Sequence, residues 1–136
     1  MLYIGVDIIE IPRIARAVER WGERFLTRIY TPQELSYARG QAPQLATRFA
    51  AKEAVMKALG TGIRGVSWTE IEVVRERGQP PTIRLTGRAL ARAHHLGIRR
   101  FALSLSHSRD LAIAVVIGET TPAGEHTPIL ALPLTP

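Results

Sequence analysis

Three ionisable residues in this 136-residue chain have the types and spacing to handle a charged substrate: Asp7 in LYIGVDII, and Glu53 and Lys57 in RFAAKEAVMKALGTG. Lys57 and its neighbour Lys52 are the chain's only lysines, against sixteen arginines. A lysine ammonium is a compact point charge whose proton can be shared, which a planar guanidinium is not. Asp7 is one of two aspartates and sits among strand aliphatics, where a carboxylate calls for a neutralising cation or cationic side chain. Two carboxylates completed by phosphate oxygens and waters form a typical Mg²⁺ shell. Asp7 and Glu53, should they meet, therefore suit a site that handles a pyrophosphate. The Gly60-Thr61-Gly62 turn lets backbone N–H groups approach phosphate oxygens closely, and it serves equally well as a helix stop. Taken alone, Glu53 and Lys57 at i, i+4 are an ordinary helix salt bridge worth about 0.3 kcal/mol.

These residues must be positioned by a mixed set of elements. Residues 2–9 read as a strand with Ile4, Val6 and Ile8 on one face and Tyr3, Gly5, Asp7 and Ile9 on the other. Pro12 opens a helix in which Ile14, Val18, Trp21 and Phe25 share a side. Thr31-Pro32-Gln33-Glu34 is a capping box that starts a short helix to about Arg39, ended by Gly40. The helix that holds Glu53 is predicted over 44–59. On a wheel of 100° per residue its Ala50, Ala51, Ala54 and Ala58 form a small-residue face, with Val55 and Leu59 on another and Phe49 and Met56 on a third. Almost no arc is left for water, so Arg48, Lys52, Glu53 and Lys57 all need partners. Strands are predicted over 70–75 and 82–85 around Gly78-Gln79-Pro80-Pro81, then a helix over 88–96 capped by Thr86. Residues 101–106 and 110–118 form a hairpin of the central sheet around His107-Ser108-Arg109. The fold class is α+β, an antiparallel-rich sheet packed with helices around one long central helix. Residues 1–119 make one domain, and 120–136, rich in proline, an extended or disordered tail.

Composition narrows the function classes. No apolar run approaches the ~20 residues of a membrane-spanning helix, and Asp7 and Glu10 interrupt the start of the chain. A cytoplasmic protein with no membrane association is expected. The absence of cysteine removes disulfides, thiolate catalysis and zinc-thiolate sites. The net charge of +6 favours acidic partners, whether nucleic acid, phosphorylated small molecules or an acidic protein. His94 and His95, adjacent on a helix, share no face and are assigned no metal.

GVDIIEIPRI, RFAAKEAVMKALGTGI, the GQPP turn and LSLSHSRDLAIAVVI together resemble the holo-acyl-carrier-protein synthases, the short bacterial 4′-phosphopantetheinyl transferases. The likeness spans about residues 1–119 in the family's order. It implies transfer of the phosphopantetheine arm of coenzyme A to a serine of apo acyl carrier protein in fatty-acid synthesis, releasing adenosine 3′,5′-bisphosphate. It further implies Mg²⁺ held by Asp7 and Glu53, with the coenzyme A pyrophosphate completing the shell, and Lys57 stabilising the departing phosphate. Arg48, Lys52, Gly60, Thr61, Gly62, Ser106 and His107 fall at coenzyme A-binding positions. Lys52 is the least determined of these, either touching the nucleotide or standing as a surface lysine. The base that takes the serine proton stays open among a carboxylate, a hydroxide on the metal and a water. Longer relatives carry a third carboxylate where this chain has Ile9, so a water is expected in its place. The family forms homotrimers whose sites are shared between neighbouring subunits.

Arg13, Arg16, Arg20 and Arg24 lie within about 80° on a helical wheel and form a basic stripe. Such stripes are usually a solvated surface. With an acidic carrier protein as substrate, this one becomes a docking surface that steers association. Two competitors remain: a transferase for peptidyl or polyketide carrier domains, and a non-catalytic module that binds acidic proteins or nucleic acid through the stripe. The latter lacks an aromatic stacking platform and leaves Asp7, Glu53 and Lys57 without a purpose, so nucleic acid is not expected as a partner.

Overall fold

The computed structural model describes residues 1–120, and its architecture is the α+β arrangement expected. Strands β1 (Leu2–Glu10), β4 (Ile98–His107) and β5 (Leu111–Thr120) form an antiparallel sheet in the order β1-β5-β4. Strands β2 (Ile71–Val74) and β3 (Thr82–Leu85) pair as a separate hairpin. The helices are α1 (Ile11–Trp21), α2 (Glu23–Ile29), α3 (Pro32–Ala38), α4 (Ala42–Leu59), α5 (Gly62–Gly65) and α6 (Gly87–Leu96). None is long and apolar enough to cross a membrane.

Helix α4 is the axis of the molecule. Its alanine-rich sequence favours the helix, Pro43 is tolerated in the first turn, and Gly60 closes it in the left-handed conformation. Ala50, Ala51, Ala54 and Ala58 are all buried, and α4 packs on both β1 and β5. Gly5 marks the tightest approach, where an added Cβ would stand 1.8 Å from the Ala54 carbonyl oxygen. Only a residue without a side chain lets β1 lie this close.

Several boundaries differ from the sequence expectation for local reasons. The helix predicted to run from Pro12 through Phe25 is two helices, because Gly22 adopts φ 53° and its N–H donates to the Val18 carbonyl at 2.8 Å. Phe25 consequently sits on α2 against Tyr30 and Phe49, while Trp21 is exposed with the Arg20 guanidinium over its ring. Arg24 leaves the helix of Arg13, Arg16 and Arg20 for the same reason. Helix α4 starts at Ala42, not 44. Thr86 precedes α6 without making a side-chain cap; the Glu70 carboxylate takes that place, accepting from the Arg88 N–H at 2.5 Å. Glu70 itself belongs to a 3₁₀ turn, Trp68–Glu70, so β2 starts one residue later than predicted. The capping box of Thr31 and Glu34 is present as expected. Strand β5 continues two residues past its predicted end at 118, so that Thr120, assigned to the tail, belongs to the sheet; the tail beyond it lies outside the described residues.

Both sheet faces are apolar, and they differ in what covers them. Gly5, Asp7 and Ile9 face α4. Ile4, Val6 and Ile8 point the other way and are 62%, 49% and 58% exposed. Across the ladder they stand beside Ile117, Val115 and Ile113, so six aliphatic residues make a continuous outer surface.

The Gly5 contact yields a direct test. Gly5→Ala is expected to lower stability by about 2–3 kcal/mol through overpacking, read as a lower urea midpoint, whereas Gly78→Asn, at an open turn position whose φ of +78° asparagine tolerates, moves it far less.

Candidate active site

The close approach of β1 to α4 sets Asp7 beside the helix turn that carries Glu53 and Lys57. Lys57 Nζ donates to Asp7 Oδ1 and to the Val6 carbonyl, each at 3.0 Å. The ammonium is 55% exposed and the Asp7 carboxylate 12%, so the lysine covers the acid from the solvent side. The ion pair of Lys57 is thus made across elements to Asp7, in place of the simple helix pair with Glu53 that spacing alone suggests.

Glu53 is half-buried, and its pKa is raised, first by burial and next by the charge of Asp7, against which its side chain also hydrogen-bonds. Lys57 and Arg13 oppose the shift from nearby. Two carboxylates in contact, one of them pushed toward its neutral form, are short of positive charge. An oxygen-seeking divalent cation supplies that charge, so the donor set fits Mg²⁺. Among the described residues no third carboxylate, histidine or cysteine joins this pair. Ile9, on the same face of β1, is buried.

A crevice of about 260 Å³ opens beside the acids, walled by Met56, Gly62, Ile63 and Trp68 together with Glu53 and Lys57. Thr61 Oγ1 is buried without a hydrogen-bond partner among the described residues, and Gly60 caps α4 next to Arg92, whose Nε donates to the Leu59 carbonyl at 3.0 Å.

A second cavity, also about 260 Å³, collects Arg48, Ser106 and His107 with Gln44 and Arg75. Arg48 is buried; its Nη1 donates to Gln44 Oε1 at 2.9 Å and its guanidinium lies 4.5 Å from the Tyr37 ring centroid. Its Nε and Nη2 have no hydrogen-bond partner among the described residues. Unsatisfied buried donors beside a histidine and a second arginine make an anion-binding cradle. This cradle is not continuous with the crevice of Glu53. Five residues along α4 turn the helix by about 140°, so Arg48 and Glu53 look in different directions.

Lys52 is in neither cavity, which corrects its assignment to coenzyme A or to the surface. It is fully enclosed, 2.7 Å from Glu34 Oε1, and donates to the carbonyls of Trp68 (3.1 Å) and Ile71. Arg13, Arg16 and Arg20 are exposed along α1, and Arg24 is exposed on α2. Arg75, Met56, Ile63 and Trp68 were not singled out from sequence. Ile63 directly follows the glycine turn, which is a usable cue, whereas the others are brought in by packing alone.

The arrangement can hold a divalent cation between two acids, offer donors to an anion in a separate cradle, and present a half-exposed ammonium beside the acids. Comparison with known proteins places the chain in a family. The profile of the 4′-phosphopantetheinyl transferase superfamily matches residues 3–116, and the chain belongs to that family. Its relatives include the holo-[acyl-carrier-protein] synthases of Herpetosiphon aurantiacus, 51% identical over 87% of this chain and 98% of that protein, and of Dehalococcoides mccartyi, 52% identical over 88% and 99%. Among solved structures, the Neisseria meningitidis holo-[acyl-carrier-protein] synthase superposes with a TM-score of 0.78 at 41% identity, covering 88% of this chain and all of that one. The Helicobacter pylori enzyme in complex with coenzyme A gives 0.78 at 33% identity over 85% and 99%.

The strain on Glu53 predicts an unusual stability effect. A carboxyl whose pKa is raised in the folded state binds protons more readily folded than unfolded. Its penalty is therefore full above the folded pKa and disappears as pH falls through the unfolded value near 4.5. Metal-free Glu53→Gln should melt at a higher temperature than the wild type at pH 7, and the gap should close below about pH 4.5, as followed by calorimetry across pH.

Proposed function

We propose that this chain transfers the 4′-phosphopantetheine arm of coenzyme A to a serine hydroxyl of apo acyl carrier protein, requires Mg²⁺, and releases adenosine 3′,5′-bisphosphate, in cytoplasmic fatty-acid synthesis. The observation that carries this is the meeting of Asp7 with Glu53 and Lys57, the latter two lining one crevice, in a chain of this family.

In that reaction a bond forms between the serine oxygen and the phosphorus that bears the pantetheine arm. The bond from that phosphorus to the bridging oxygen breaks, its electron pair leaves on the nucleotide phosphate, and the serine proton passes to a base, whether a carboxylate, a hydroxide or a water. Asp7 and Glu53 would hold Mg²⁺, which when bound neutralises the diphosphate and the charge that develops on the bridging oxygen. Lys57 is tethered by a half-exposed side chain and can swing from Asp7 toward the departing phosphate, following charge that a guanidinium fork would track poorly. The crevice behind the acids, lined by Met56, Ile63 and Trp68, suits the largely uncharged pantetheine arm. Arg13 is near enough to act on Glu53, so the basic stripe on α1 begins at the site. An acidic carrier docked along Arg13, Arg16 and Arg20, with Arg24 beyond the Gly22 break, delivers its serine to the acid pair.

The active form is a homotrimer. Two features support it: the uncovered aliphatic face of β1 and β5, and the separation of the anion cradle from the acid pair within one chain. Ser106 pairs with Ile113 and shares the outer face, which brings the cradle to the rim of that surface. Packing this face against a neighbour buries it and sets one subunit's Arg48 and His107 near the next subunit's Glu53.

Incubation of apo acyl carrier protein with this chain, coenzyme A and Mg²⁺ should add one phosphopantetheine by intact mass, while Glu53→Gln loses at least about 100-fold in rate, on the scale of a lost electrostatic catalytic group. An unmodified carrier would reject the assignment. Charge reversal at Arg16 and Arg20 should raise the KM for carrier protein and leave that for coenzyme A in place. Val6→Asp should convert a trimer, seen by light scattering, to monomers without transfer activity.

A further inference from the structure

The second lysine of the motif has a different task from the first. Lys52 lies one residue before Glu53, and its ammonium meets three acceptors: Glu34 Oε1, the Trp68 carbonyl and the Ile71 carbonyl. Three N–H donors thus face three acceptors, and none is left over. A guanidinium brings five donors in a plane and would leave some of them buried and unpaired at this point. The Glu34 carboxylate is as completely used, accepting from the N–H groups of Thr31 (2.9 Å) and Val73 (2.8 Å) besides the lysine.

Such a pair is a poor device for stability alone, because apolar residues of similar volume commonly replace a buried ion pair without loss. What apolar residues cannot reproduce is direction. The lysine holds two carbonyls of one turn at fixed points on α4, and Glu34 ties the same region to α3 and β2. Trp68, whose carbonyl is held in this way, stacks on Phe49 at 4.8 Å and walls the crevice shared by Glu53 and Lys57.

We infer that Lys52 is a positioning residue: by fastening the Trp68–Ile71 segment to α4 it fixes the wall of the crevice against which the coenzyme A arm is laid. The inference deepens the functional assignment above and rests on it for the identity of the occupant. Removal of the ammonium frees the turn, moves Trp68 away from Phe49 and widens the crevice. Loss then falls on binding of the donor, with the carrier's docking surface on α1 unaffected.

The test uses the full chain with Trp21→Phe, which leaves Trp68 as the reporting indole. Lys52→Met alone strands a buried carboxylate, so Lys52→Met with Glu34→Gln is made beside it. The double variant should keep the wild-type far-ultraviolet spectrum, shift Trp68 emission to longer wavelength, and raise both the KM and the calorimetric Kd for coenzyme A about tenfold, on the scale of one lost buried interaction. The KM for carrier protein should stay unchanged. A double variant with a lowered melting temperature but unchanged Trp68 emission and coenzyme A affinity would overturn the inference and leave Lys52 a purely structural residue. A parent protein that fails to transfer would instead defeat the proposed function, with Trp68 emission still deciding whether Lys52 positions the wall.

Discussion

The distance between one strand and one helix governs this molecule. Gly5 of β1 meets the Ala54 carbonyl with no room for a Cβ, and the alanines of α4 keep that interface shallow. Asp7 is two residues along the strand on the same side, so it lands at the turn of α4 that presents Glu53 and Lys57. A larger residue at position 5 has no room there and would force β1 and α4 apart, and Asp7 with them from Glu53. The backbone contact is thus the physical origin of the charge cluster, and the cluster is expensive: Glu53 is held where both burial and Asp7 oppose its ionisation.

Helix α4 carries four charged side chains through an almost wholly enclosed environment, and each meets the constraint differently. Lys52 is saturated by protein acceptors and is inert toward any ligand. Arg48 is only partly satisfied, leaving donors for an anion. Glu53 is frustrated by a like charge, and Lys57 relieves Asp7 from the solvent side while staying half-exposed. On one helix, the saturated Lys52 holds the fold, while Arg48, Glu53 and Lys57 keep charge or donors that chemistry could use.

Much of this was legible in the sequence. The strand alternation put Asp7 opposite Ile4, Val6 and Ile8, and the wheel of α4 anticipated that its charges would need partners. The Thr31–Glu34 capping box was readable too, but its second use was not: Glu34 is recognisable as a cap from four adjacent residues, while its pairing with Lys52 joins segments eighteen residues apart through tertiary packing alone. Sequence alone does not place Lys52 for that reason. Nor does it report the break at Gly22, because the apolar pattern of Ile14, Val18, Trp21 and Phe25 runs on in helical period across a residue whose positive φ no pattern of hydrophobicity reports. Trp68 and Arg75 carry no local signal at all, since each reaches its cavity from a segment defined only by what it packs against.

The central claim is that Asp7 and Glu53 share a divalent cation with the diphosphate of coenzyme A. Crystals grown with coenzyme A and Mn²⁺ in place of Mg²⁺ test it most directly, because anomalous scattering locates the metal independently of the surrounding model. A single anomalous peak within coordination distance of one oxygen from each carboxylate, and of diphosphate oxygens on the far side, is the predicted result. Manganese bound to the diphosphate alone, with both carboxylates turned away, would contradict it.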